Sequence, residues 1–158
     1  MSNPIDAAET GYIPKRVYDR ISKLLPVLCV DILLINERGQ YLLVKRTNEP
    51  LQGRYWVVGG RVHKGESIWQ AAKRKVKEEV GVEISALHFL GFNEGVFRLP
   101  SSGLDATIHT VSVVFRGVVQ DGTKIKLDSQ ASRWKFVAKP PRNFLLNLAV
   151  DEDCPRFD

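Results

Sequence analysis

Two adjacent carboxylates, Glu78 and Glu79, close a segment that opens on Gly59-Gly60 and runs through Glu66, Arg74 and Lys75. A helix over these positions, at about 100° of turn per residue, is read with Lys75, Glu78 and Glu79 within one arc and Ile68, Ala72 and Val76 within another. The first arc is polar and predicted to be exposed; the second is apolar and predicted to face a core. Paired carboxylates on a helix that follows a glycine turn can hold a hard divalent cation, since Mg²⁺ takes oxygen ligands and keeps water and phosphate in its shell. The same residues also read as ordinary i,i+4 ion pairs, Arg74 with Glu78 and Lys75 with Glu79, of a few tenths of a kcal/mol each. Arg46 ends an apolar stretch and Arg61 follows the glycines, and the planar guanidinium suits bidentate contact with phosphate.

The elements that must position these groups follow from periodicity. Pro14 leads into Val17, Ile21, Leu24 and Leu25 at helical spacing, a short N-terminal helix. Val27 to Ile35 is a nearly continuous β-branched and leucine run, Asn36 to Gln40 supplies turn chemistry, and Tyr41 to Lys45 resumes a strand. A polar stretch from Arg46 to Gly53 precedes a short strand, Arg54 to Val58, and then the two glycines. Residues 61–66 read as a loop, Ser67 to Val80 as a helix stopped by Gly81. Leu87 to Phe92, Thr107 to Val119, Lys124 to Leu127 and Arg133 to Val137 are predicted strands, with a hairpin turn at Asp121-Gly122. Pro140-Pro141 ends the last of them, and Asn143 to Val150 is expected to form a closing helix. Strands around one central helix, with a second helix near the end, indicate a mixed α/β sandwich.

Length and composition bound the function. The 158 residues give one domain with room for a single core, and 44% hydrophobic with 26% charged residues is ordinary globular composition. The formal charge is +5, but the last eight residues carry −3, which leaves +8 on residues 1–150. That balance suits an anionic ligand such as a phosphate ester. Dispersed basic residues without a recognisable nucleic-acid-binding signature argue against a nucleic-acid partner. Two unmatched cysteines, Cys29 and Cys154, make no disulfide framework, and the longest apolar run is far short of the roughly 20 residues of a membrane span. A cytoplasmic protein without a membrane partner is expected.

Gly60, Glu66 after five residues, Arg74 after seven more, and then Lys75-Val76-Lys77-Glu78-Glu79-Val80-Gly81-Val82 resemble the signature of the Nudix hydrolases. The likeness covers 23 contiguous positions, and the strand pattern from about Pro26 to Pro140 is similar to the family's α/β/α sandwich with a mixed β-sheet. The resemblance implies a Nudix domain over 26–140, a helical extension over 1–25, and a C-terminal helix and acidic tail over 141–158. It implies hydrolysis of a nucleoside diphosphate linked to another group, with Mg²⁺ or Mn²⁺. Lys75 departs from it: the family usually has Glu there, so fewer bound metals are expected than in its pyrophosphohydrolases.

Leu43 to Pro50, Gln52-Gly53, Tyr55-Trp56 and Gly59-Gly60-Arg61-Val62 resemble the family's GDP-mannose mannosyl hydrolase branch, which tolerates loss of that Glu. Carried over residue by residue, the resemblance gives Glu79, Glu78, the Gly59 carbonyl and Gln130 as metal ligands, with Glu79 and Glu78 also the catalytic carboxylates. It gives Arg46 and Arg61 to the diphosphate and Asp31 to the substrate. The residue after Gln130 would be the histidine base, and here it is Ala131. His63, in the loop after Gly60, is then the nearest catalytic histidine by sequence, whereas His88 and His109 read as structural. Glu66 is expected to pair with Arg74. A nucleotide-sugar such as GDP-mannose is the expected substrate. Open beside it stand a pyrophosphohydrolase of ADP-ribose, dinucleotides or nucleoside triphosphates, and a catalytically impaired nucleotide-binding domain. The apolar face of the N-terminal helix suits either the sheet or a second subunit of a homodimer.

Overall fold

Alternating small and β-branched residues make the centre of the molecule a mixed sheet. The computed structural model describes residues 13–102, 106–142, 144 and 148–150. Helix α1 (Lys15–Leu24) precedes strands β1 (Val27–Ile35), β2 (Tyr41–Arg46), β3 (Tyr55–Trp56) and β4 (Val58–Arg61). Helix α2 (Ile68–Val80) follows, then β5 (His88–Arg98), β6 (Thr107–Val118), β7 (Ala131–Val137) and β8 (Leu148–Val150). The strands run β3-β2-β1-β6-β5-β8, with β4 beside β1 and β7 beside β2. The β1–β6 pair is parallel and the others are antiparallel, so the sheet is mixed as expected.

Successive side chains of a strand point to opposite faces, and β1 divides accordingly. Val30, Ile32 and Leu34 meet Ala72, Val76 and Val80 of α2 and Phe115 of β6 in one core. On the other face Leu33 packs with Leu43, Val57, Val114 and Phe144. Near its start, β1 turns Cys29 and Asp31 to that second face, where Tyr18 of α1 joins them around a cavity. Helices therefore lie on both sides of the sheet. Among the described residues, no helix is long and apolar enough to cross a membrane.

The start and stop of α2 are written in its end residues. Ser67 Oγ accepts from the Gln70 amide at 3.1 Å and the Gln70 side chain accepts from the Ser67 amide at 2.7 Å, a reciprocal cap. Gly81 takes φ 70°, a left-handed conformation that glycine adopts without a Cβ clash, and returns its N–H to the Lys77 carbonyl at 3.0 Å.

Four expectations are corrected. The strand expected over Arg54 to Val58 is two strands: β3 pairs with β2, and β4 pairs with β1 and carries Gly59, Gly60 and Arg61 within it. The glycines are strand residues because the backbone there passes close to two other side chains, as described below. Lys124 to Leu127 forms no strand. Its Lys126 amide donates to the Val80 carbonyl at 2.9 Å, and Ile125 and Leu127 pack on the α2 core, so the segment closes the end of that helix instead. The closing helix does not extend to Val150, because Leu148–Val150 pairs antiparallel with β5 and gains ladder hydrogen bonds there. Finally, the arc of Lys75, Glu78 and Glu79 is not exposed as a whole: at 100° per residue Lys75 falls within about 20° of Ile68 and Glu79 within about 20° of Ala72, so both share the core-facing side and are 5% and 3% exposed. The acidic tail over 151–158 and the first 12 residues of the N-terminal extension lie outside the described residues.

Candidate active site

A cavity of about 230 Å³ opens on the α1 side of the sheet, over the first half of β1. Asp31, Gly59, Arg46, Arg61 and Gln130 all line it, with Gly60 beside them, so the fold brings five of the expected site residues together from four segments. Tyr18, Cys29, Glu49, Trp56, Asn93, Phe97 and Ser112 are among its other wall residues.

Pairing of β1 with β4 sets the floor. Asp31 lies opposite Gly59 in the register, and a Cβ on Gly59 would collide with the Asp31 carboxylate and the Val30 carbonyl. Glycine is therefore what lets β4 close on β1 over an acidic side chain. Burial pushes the Asp31 carboxyl up to about 6, against the Ser112 side-chain hydrogen bond and the nearby Arg46, which both favour its ionised form. Cys29, on the same face, is pushed up to about 12 by burial and by Asp31, so its thiol is not a nucleophile at neutral pH. Arg46 is steadied at the end of β2, where its Nε donates to the Pro50 carbonyl at 2.7 Å. Arg61 lies with its guanidinium carbon 5.7 Å from the centre of the Tyr18 ring.

Behind the cavity a charged network ties β4, the 62–67 loop and α2 together. Arg74 donates from Nη2 to Glu66 at 2.6 Å and to the Arg61 carbonyl at 3.1 Å, and from Nη1 to Glu78 at 3.1 Å. Glu66 in turn accepts from the His63 amide at 2.6 Å. Burial works against the Glu66 charge, but the Arg74 and His63 hydrogen bonds outweigh it and hold the carboxyl below its ordinary range. The expected Glu66–Arg74 pair is present, and it fixes the end of the strand that carries Arg61.

Lys75 occupies the centre of this region. Its ammonium is 2.8 Å from Glu79 and 3.4 Å from Glu78, and its Cε lies where a Cβ on Gly60 would approach to 2.8 Å. Burial pushes the Glu79 carboxyl up, more than Lys75 and Arg46 pull it down. Nudix hydrolases generally use divalent metals. The donors here do not fit such an ion as they are arranged. Glu79 is buried against an ammonium, Glu78 is shared between Arg74 and Lys75, and Gly59 and Gln130 lie on the cavity side. Among the described residues, no group of three or more His, Cys, Asp or Glu side chains is placed to hold a metal.

His63 is not brought to the cavity. It sits beside Arg74 on the 62–67 loop, where burial and then the Arg74 charge lower its proton affinity. Ala131 is buried opposite Arg46 at the start of β7. His109 pairs with Glu94 at 2.8 Å across two strands, away from the cavity lining. Tyr18, Asn93 and Ser112 escaped the sequence reading. Ser112 faces Asp31 only because β1 and β6 run parallel in one register, which no local pattern announces. Tyr18 carried a signal, as the aromatic member of an amphipathic helix with an apolar face to cover.

A glycine strand laid over a buried carboxylate, two arginines at one cavity, and an Arg–Glu lock behind them make a cavity whose guanidinium groups suit an anionic ligand. The NUDIX domain family matches residues 25–141, and the chain belongs to the Nudix hydrolase family. It is 34% identical over 133 residues to the low-salt glycan biosynthesis protein Agl8 of Haloferax volcanii, covering 84% of this chain and 83% of that one. It is also 34% identical over 130 residues to the ADP-ribose pyrophosphatase of Methanocaldococcus jannaschii, covering 82% and 70%. The crystal structure of the MutT protein from Methanosarcina mazei Go1 superposes with a TM-score of 0.61 at 24% identity, over 73% of this chain and 79% of that one, which shows the fold.

Proposed function

We propose that this chain hydrolyses a nucleoside diphosphate derivative, and that a nucleotide-sugar such as GDP-mannose is its substrate. The observation that carries the reading is the convergence of Arg46 and Arg61 on one cavity with Asp31 at its floor. Two guanidinium groups match the charge and geometry of a diphosphate. In a transition state that expels a nucleoside diphosphate, charge accumulates on the leaving group, and the arginines stabilise it there.

Two carboxylates line the cavity, Asp31 and Glu49, and Ser101 donates to both oxygens of Glu49, so Asp31 is the one left for a sugar hydroxyl or an attacking water, a part that His63, outside the lining, does not play. Trp56 and Tyr18 supply aromatic walls for the base or the sugar ring. A divalent ion can join Glu78 and Glu79 only where Lys75 gives way. The glycan-biosynthesis name of the Haloferax relative supports a sugar-bearing substrate for this chain.

A second reading, attack at phosphorus in a substrate such as ADP-ribose, is favoured by the name of the Methanocaldococcus relative. Hydrolysis of GDP-mannose and of ADP-ribose in ¹⁸O-water separates the two. Label in the free sugar, with an intact nucleoside diphosphate, is the expected result. Label only in a phosphate replaces it by the second reading, and no turnover of nucleotide-sugars, ADP-ribose or triphosphates leaves a nucleotide-binding domain without catalysis.

A further inference from the structure

The Lys75–Glu79 pair is a costly thing to place inside a helix–sheet interface, because each ion gives up its hydration. A methionine at position 75 would fill the space of the lysine stem without that penalty and without reaching the place of the ammonium. The lysine stem nevertheless runs against Gly60, where any side chain on the strand would collide with it, and delivers the ammonium to both carboxylates of the Nudix segment. Arg74 and Lys75 carry two positive charges against the three negative charges of Glu66, Glu78 and Glu79, and Glu66 is taken up by Arg74, so most of the charge on Glu78 and Glu79 is balanced without any added ion. An ammonium has three N–H donors and no acceptor. It satisfies carboxylate oxygens in the way a metal would, from the middle of the space an ion would need.

We propose that the Lys75 ammonium is the resident cation of this carboxylate site, a tethered occupant in the place of a divalent ion. The unaltered chain then holds divalent ions weakly at Glu78 and Glu79, and a neutral side chain at position 75 opens the site to one. The proposal rests on the family reading of these two carboxylates. It does not depend on the substrate.

The test uses Mn²⁺ alone with the full chain, so its failure and failure of the substrate reading are distinct. Free Mn²⁺ is followed by its electron paramagnetic resonance signal, and melting temperature is recorded in parallel. The expected results are no saturable uptake by the unaltered protein up to about 1 mM Mn²⁺, and uptake of about one ion by Lys75→Met with a Kd at least about tenfold lower. Lys75→Met should melt below the unaltered protein without metal and rise by several degrees with Mn²⁺, whereas the unaltered protein should not shift. Adding Glu79→Gln to Lys75→Met should abolish the uptake. Saturable binding to the unaltered chain below about 1 mM overturns the proposal. So does a folded Lys75→Met that takes up no ion, or uptake that survives Glu79→Gln. If Lys75→Met does not fold, Lys75→Gln takes its place, and the titration of the unaltered chain still decides.

Discussion

The Tyr18 ring stands 5.7 Å from the guanidinium carbon of Arg61, and so a helix that precedes the family-matched segment forms one wall of the cavity in it. An aromatic face over a guanidinium is worth about 0.5–1 kcal/mol at partly exposed sites. Tyr18→Ala should therefore raise KM about two- to fivefold and leave kcat nearly unchanged, because the ring steadies Arg61 in ground state and transition state alike. Steady-state kinetics on the substrate that is turned over would check this; an unchanged KM would remove α1 from the binding site.

Arg46 and Arg61 are expected to act differently. If they hold the charge that develops on a departing diphosphate, truncation of either to Ala should lower kcat as well as raise KM, with about a hundredfold loss in kcat/KM. A rise in KM alone would make them uniform binders. The comparison needs only the two single variants and the same kinetic assay.

Glu78 and Glu79 are neighbours in sequence and opposites in environment. Glu79→Gln leaves the Lys75 ammonium buried beside a neutral group and should destabilise the fold by about 3–5 kcal/mol. Glu78 has a side chain 44% exposed, and Glu78→Gln should cost no more than about 1 kcal/mol. Urea melts of the two variants would show the contrast, and equal midpoints would mean that the pair is hydrated in solution.

Acid should loosen the molecule through Glu66. Its carboxyl is held below its ordinary range in the folded chain, so the folded state binds its proton less readily than the unfolded state does. The stability this contributes is complete above the unfolded carboxylate pKa of about 4.3 and is lost as pH falls through the lower folded value. Glu66→Gln should remove that part of the acid dependence and lower stability at pH 7 by about 2 kcal/mol, since Arg74 and the His63 amide lose an ionised acceptor. Urea melts between about pH 3 and pH 7 test this; parallel profiles for the two proteins would show that the pair is not the acid-sensitive one.

Asp31 offers a test of the cavity chemistry itself. Asp31→Asn keeps the size of a side chain that already sits against Gly59, so the fold should survive. If the carboxylate receives a proton or orients a hydroxyl, kcat should fall about a hundredfold or more. Circular dichroism together with turnover separates the two effects, and a variant that is folded and fully active would take Asp31 out of the reaction.

Local chemistry determined much of this protein in advance. The Ser67 cap, the Gly81 stop and the Ala72–Val76 stripe fix α2 from its own residues, and the Glu66–Arg74 pair follows from the signature spacing. The run Val27 to Ile35 could hardly be anything but a buried strand. Tertiary structure decided what spacing leaves open. At 100° per residue Lys75 and Glu79 stand beside Ile68 and Ala72, so their burial follows from the helix itself; that Gly60 of β4 closes over the Lys75 stem does not. Lys124 to Leu127 has the alternation of a strand and becomes the cover of a helix end, because the Val80 carbonyl competes for its backbone donors. Tyr18 and Ser112 reach the cavity through pairings between segments distant in sequence. Helix caps and hydrophobic periodicity act over a few residues and are legible in the chain, whereas what a buried charge meets depends on which distant backbone arrives beside it.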